Sequence, residues 1–219
     1  EDEIDILIDL SGHTAFNRLM LFAMKPAPIQ ASWIGYPGST GLQAMDYYIA
    51  DRYFTPPDVV GPYMTEKLAL LPACLPFLPS ALSPAIEQAP ALSNGYLTFG
   101  SFNRLSKLNR GVVRRWAKLL HALPTAKMLL GAMHKQSDHD TLAQWFAEDG
   151  IPLERLSFHQ RTHLGNYLAL HQQIDVCLDT YPYTGGTTTM HALWMGVPTL
   201  TLAGDTVASR AGACILEHV

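Results

Sequence analysis

The sequence predicts an α/β protein whose C-terminal part is a doubly wound parallel sheet. Two observations carry this. From residue 96 onward, short apolar segments of strand character alternate with amphipathic segments at helical spacing, and Gly and Pro punctuate the junctions. Before residue 55 a shorter strand–helix–strand series runs, and a proline-rich stretch separates it from the second series.

Taken in order, Ile4, Ile6, Ile8 and Leu10 recur at period two and predict the first strand. Residues 16–24 form a short helix that Lys25-Pro26-Ala27-Pro28 ends. Residues 29–34 are a second strand, closed by Gly35-Tyr36-Pro37-Gly38, and residues 47–50 a third. The stretch 55–94 holds Pro56, Pro57, Pro62, Pro72, Pro76, Pro79, Pro84 and Pro90 and is expected to connect the two units. The boundary is drawn between residues 79 and 94, giving an N-terminal unit 1–85 and a C-terminal unit 86–219.

In the second unit, residues 96–100 predict a strand. Val112, Val113, Trp116, Leu119, Leu120 and Leu123 then mark one face of a helix. Residues 127–131 are the next strand. The following helix is capped near Ser137 or Asp138, faces Leu142, Trp145 and Phe146 inward, and ends at Gly150. A strand at 156–158 precedes a helix bearing Leu164, Tyr167, Leu168 and His171. Strands at 174–179 and 199–203 complete the series, with Met190, Leu193 and Trp194 on the helix between them.

Composition narrows the function. The chain has 219 residues, 48% of them hydrophobic, enough for a substantial core. Its net charge of −4 argues against non-specific nucleic-acid binding, though not against a local basic site. No apolar run reaches the ~18 residues of a membrane helix, and EDEIDILIDL is not a signal peptide. Cys74, Cys177 and Cys214 lack zinc or disulfide-framework spacing and fit a reducing cytoplasm. The strand pattern at the very start and the helical pattern at the very end read as a fragment of a longer protein.

The segment most telling of function is Thr184-Gly185-Gly186-Thr187-Thr188-Thr189, between a strand and a helix N-terminus. Glycines let the backbone approach a ligand, and a helix's first turn offers unpaired N–H groups and a positive dipole end, which suits a diphosphate. The same pattern fits an ordinary βα turn with a Thr cap. Phe99-Gly100-Ser101-Phe102-Asn103-Arg104-Leu105-Ser106-Lys107 also follows a strand, and Lys107 at such an end can neutralise charge on a phosphate leaving group. In parallel sheets ligands sit beyond the carboxyl ends of strands, so both segments belong to one rim. Gly35-Tyr36-Pro37-Gly38 makes a rigid turn, and His13 in Ser11-Gly12-His13-Thr14 is a candidate acid–base group or a hydrogen-bonding structural histidine. His134, Asp138, His139 and Asp140 are expected to face solvent rather than hold a metal. No GxSxG elbow, GxGxxG fingerprint or Walker sequence occurs.

Together DLSGHTAFNRL, KPAPIQASWIGYPGSTG, PALSNGYLTFGSFNRLSK and DVCLDTYPYTGGTTTMHALWMGVP resemble the catalytic region of the O-linked N-acetylglucosamine transferase/SPINDLY family of protein O-glycosyltransferases. The four stretches occur in the family's order over nearly the whole chain. The resemblance implies a GT-B fold: two Rossmann-like domains, of which the N-terminal one is incomplete here, usually preceded by tetratricopeptide repeats. It also implies inverting transfer of a sugar from a nucleotide-sugar donor to Ser or Thr hydroxyls of proteins, without a metal and in the cytoplasm. No membrane or nucleic-acid partner is expected.

By the same resemblance Lys107 is the lysine that contacts the donor diphosphate and assists its departure. Thr187 and Thr188 hold the diphosphate, and Ile34 and Gly35 reach it from the N-terminal domain. Arg104 takes a donor-contact position where animal enzymes have glutamine. Gly186 replaces a histidine, His191 a ribose-contacting aspartate, and Tyr167 a histidine that stacks on uracil. His13 is an acceptor-side candidate. GGTTT and FGSFNRLSK lie closer to the SPINDLY branch, so the donor is UDP-GlcNAc or GDP-fucose. The alternative is a non-catalytic nucleotide-binding or scaffold module of a repeat protein.

Overall fold

The computed structural model describes residues 3–219 and divides into two compact units, residues 1–76 with 203–219 and residues 77–202. Set beside the expected division at 85/86, the first break falls earlier, and the closing segment packs with the N-terminal unit.

The first unit is a four-stranded parallel sheet in the order β1 (Ile6–Asp9), β2 (Ile29–Trp33), β3 (Tyr47–Ala50), β4 (Lys67–Leu70). Helix α1 (Leu19–Ala23) joins β1 to β2, and α2 (Pro57–Val60) lies between β3 and β4. The expectation that 55–94 is only a connector is corrected here. Lys67–Leu70 pairs residue for residue with Tyr47–Ala50. Four residues flanked by prolines are too short for a periodic signal, so pairing rather than local pattern makes this strand. Ala31, Tyr48 and Ala50 are buried in the sheet, while Ile6 and Ile8 on the edge strand are exposed.

The second unit carries α3 (Ala91–Asn94) and five parallel strands: β5 (Thr98–Ser101), β6 (Lys127–Met133), β7 (Leu156–Gln160), β8 (Val176–Leu178) and β9 (Thr199–Leu200). Their spatial order is β7-β6-β5-β8-β9, the dinucleotide-fold arrangement in which the chain reverses direction between β5 and β8. Strand β6 is apolar almost throughout because both its faces are covered. Met128 and Leu130 join one core with α4 (Arg110–Ala122) and α5 (Gln136–Glu148). Leu129, pointing the other way, joins a second core with Phe102, Ile174 and Ala192. Ala192 belongs to α7 (Thr187–Trp194), and Tyr167 of α6 (Leu164–Ala169) packs on the same core.

Several expected boundaries move. The strand at 199–203 is only Thr199–Leu200, and the helix holding His171 breaks after Ala169 into a 3-10 turn. Helix α5 begins at Gln136, where the Asp138 carboxylate accepts from the amides of His134 and Lys135 instead of sitting at the cap itself. His139 does not face solvent: it is buried and stacks on Phe158, because it shares the inward face with Leu142 and Phe146. The last helix is α8 (Ala211–Leu216). Among the described residues no helix is long and apolar enough to cross a membrane.

Candidate functional site

At the carboxyl end of β5 the chain runs through Phe102, Asn103 and Arg104 into a 3-10 turn, Leu105–Lys107, before Asn109 caps α4. At the end of the adjacent β8 it passes Asp179 and enters the turn that leads into α7. The turn is held by one carboxylate. Asp179 accepts from the Gly185 amide at 2.6 Å, the Thr180 amide at 2.8 Å and the Thr201 hydroxyl at 2.7 Å. Burial raises its pKa, and these bonds together with Lys107 counter that rise.

The two glycines play different parts. A Cβ on Gly185 would stand 2.5 Å from the Thr188 hydroxyl and 2.8 Å from that of Thr189, so only glycine lets the chain fold back so closely. A Cβ on Gly186 would meet nothing within 4 Å. Gly186 is the cap residue of α7 and no side-chain cap bond forms there, so the alternative of a Thr-capped turn does not hold. The first intrahelical bond runs from the Met190 amide to Gly186 O, which leaves the amides of the first turn without an intrahelical acceptor.

Lys107 bridges the two loops. Its ammonium donates to Thr184 O at 2.7 Å and lies 4.1 Å from the centre of the Tyr183 ring. Burial lowers its pKa to about 8, against the opposing pull of Asp179, with Arg104 adding to the fall. The Thr188 hydroxyl donates to Asn103 Oδ1 at 3.3 Å, a second tie across the same gap.

A cleft of about 620 Å³ opens over this junction. It is lined by Lys107, Arg104, Tyr167, Gly186, Thr187, Thr188 and His191, so the site residues expected in this unit converge on one place. That place is the switch point between β5 and β8, where parallel folds bind ligands. Tyr167 meets His191 edge-on at 5.4 Å and Phe102 at 5.4 Å. Burial lowers the His191 pKa and raises that of Tyr167. His191 thus presents an uncharged imidazole at neutral pH.

Sequence reasoning missed Arg161, Asn103, Tyr183 and Ala132, which also line the cleft. Arg161 follows β7 directly and Ala132 lies at the irregular end of β6 with φ +63°. Extending the carboxyl-rim rule from two strands to four finds both. Arg104, Lys107 and Arg161 supply positive charge, and among the described residues no Asp or Glu lines the cleft. An acidic chain therefore carries a local cationic basin.

The remaining expected residues lie in the first unit. Ile34 follows β2 with φ +52°, unusual for a β-branched residue, inside a three-residue turn closed by the Gly35 amide on Trp33 O at 2.6 Å. A Cβ on Gly35 would stand 2.3 Å from Leu10 O, so backbone approaches backbone there. The Asp9 carboxylate fixes the neighbouring loop, accepting from the Ser11 and Gly12 amides and the Ser32 hydroxyl. His13 is exposed and meets the Tyr36 ring edge-on at 5.2 Å.

Two Rossmann-like parallel units are the architecture of the GT-B glycosyltransferases, and solved structures agree. The lipopolysaccharide outer core galactosyltransferase WaaB shares the fold at TM-score 0.56 and 13% identity, over 90% of this chain and 56% of that one. The chain belongs to glycosyl transferase family 41, whose model matches residues 1–80 and 76–219. The probable UDP-N-acetylglucosamine–peptide N-acetylglucosaminyltransferase SPINDLY of Oryza sativa subsp. japonica is 40% identical over 224 residues, 100% of this chain and 24% of that protein. Its counterpart in Arabidopsis thaliana is 40% identical over 228 residues with the same shares. A mutant of the Thermobaculum terrenum O-GlcNAc transferase superposes with TM-score 0.91 at 39% identity, covering 98% of this chain and 41% of that one. The chain spans about a quarter of the length of the curated relatives it matches.

Proposed function

We propose that this chain is the donor-binding part of a protein O-glycosyltransferase. It would take a sugar from a nucleoside-diphosphate sugar and pass it to a Ser or Thr hydroxyl with inversion and without a metal at the donor. The observation that carries this is the placement of Lys107 beside the turn into α7, over a cleft whose charged lining groups, among the described residues, are all cationic. The first-turn amides and the hydroxyls of Thr187 and Thr188 hold the diphosphate. The Lys107 ammonium offsets the charge that grows on the leaving phosphate as the glycosidic bond breaks, which is stabilisation specific to the transition state. An arriving diphosphate supplies the counter-charge that burial denies this lysine, keeping it protonated when it is needed.

Tyr167 and His191 form the wall against which base and ribose rest, and Arg104 and Arg161 add charge at the mouth. The donor is UDP-GlcNAc, after the activity named for the relatives, with GDP-fucose the competing donor. Tetratricopeptide repeats elsewhere in the parent protein would select acceptors.

Calorimetry with UDP and with GDP tests this. Binding of one nucleotide in preference to the other supports donor binding and names the base; binding of neither supports a scaffold role instead. In the parent enzyme Lys107→Ala is expected to lower kcat by about 10²–10³. Wild-type turnover in that variant would overturn the role given to Lys107.

A further inference from the structure

Within the first unit, outside every sequence motif that the donor site uses, three metal-ligating side chains meet. Asp51 follows β3 and is fully buried. Its Oδ1 accepts from the amides of Tyr53 at 2.9 Å and Phe54 at 2.8 Å, and its Oδ2 accepts from the Cys74 amide at 3.0 Å. One lone pair of Oδ2 remains, and two further groups converge on it. The Cys214 thiol of α8 lies 3.2 Å from Oδ2, and the His218 Nε2 lies 3.5 Å from it. The three ligand atoms fall within 4.8 Å of one another. The Cys74 thiol is buried beside them and bears on both Asp51 and Cys214.

The two separations from Oδ2 match ligand spacings around zinc. Oxygen and nitrogen ligands at about 2.0 Å and one sulfur at about 2.3 Å from a zinc ion stand about 3.3–3.5 Å apart across a tetrahedral angle. A carboxylate, an imidazole and a thiol are a borderline-soft set that suits zinc above magnesium or calcium. The carboxylate is oriented by three backbone amides before any ion arrives, as outer-shell bonds orient metal ligands elsewhere. Phe54, Val60 and Val207 wall the group with apolar surface. The His218 side chain is 29% exposed and edges a cleft with Arg52 and Tyr53, which gives an ion a way in.

We propose that Asp51, Cys214 and His218 bind a zinc-class divalent cation that pins α8 to the carboxyl end of β3. None of the three lines the 620 Å³ cleft, so this site stands or falls apart from donor binding.

The test uses the whole chain, reduced, stripped with chelator and titrated with Co(II). About one equivalent should bind with intense visible bands of tetrahedral cobalt and a near-ultraviolet thiolate charge-transfer band, both erased by Zn(II). Zinc should raise the unfolding temperature. Cys214→Ser should remove most of the charge-transfer band, and His218→Ala, at a partly exposed position, should weaken binding about tenfold or more while leaving the fold intact. A folded wild-type chain that shows no thiolate band at stoichiometric cobalt overturns the site, as does a band unchanged in both variants. Should Cys214→Ser not fold, the wild-type spectrum and His218→Ala decide alone.

Discussion

Lys107 is a lysine kept just short of neutrality. With its pKa lowered to about 8 by burial, it is mostly charged at pH 7 and loses that charge over the next pH units. Between about 8 and the ordinary 10.5 the folded chain holds fewer protons than the unfolded one, so this group adds stability as pH rises through that window. Ligand binding runs the other way. A diphosphate keeps its charge above pH 7.5 while Lys107 gives its own up, so nucleoside-diphosphate affinity should fall as pH climbs through about 8. Titration calorimetry at pH 7, 8 and 9 checks this, and the slope should vanish in Lys107→Ala. The neighbouring glycines give a second contrast. Gly185→Ala forces a methyl against two hydroxyls and should cost about 1–3 kcal/mol in thermal unfolding. Gly186→Ala points into open space and should stay within about 0.5 kcal/mol of the parent.

At the scale of elements, the β8–α7 turn depends on one acid that sequence reasoning passed over. Asp179 is the last residue of the strand expected at 174–179, and its carboxylate ties two amides and the Thr201 hydroxyl. Asp179→Ala releases all three, whereas Asp179→Asn keeps an oxygen for the amides. The Ala variant should therefore weaken nucleotide binding more than the Asn variant, by about tenfold, when both are compared by calorimetry. What the sequence made legible follows from the same physics. The long helices α4 and α5 and the fully covered strand β6 declare themselves because their faces repeat over many residues. Strand β4 did not, since four residues between prolines have no period to read and only their pairing with β3 defines them. His139 was misjudged for a related cause: polar neighbours hid its place on the inward face of α5.

At the scale of the molecule, every described residue lining the cationic cleft belongs to the unit 77–202. That unit has its own two-sided core. Residues 77–202 produced alone should fold and retain nucleoside-diphosphate binding, checked by circular dichroism and calorimetry; loss of binding in a folded fragment would mean that the first unit supplies a necessary contact. Much of this cleft could be located from the rim rule and two motifs, since both loops leave neighbouring strands on one edge of the sheet. Arg161 and Ala132 escaped because they come from β6 and β7, strands with no glycine-rich signature to draw the eye.

The cleft's charge pattern also bears on handling the protein at the bench. A chain of net charge −4 should be retained by an anion-exchange resin through its surface at large. The basin formed by Arg104, Lys107 and Arg161 should at the same time grip sulfonated dyes and inorganic phosphate. Phosphate and sulfate buffers will then act as silent competitors in any donor assay, and a nucleotide wash will serve as a selective eluent.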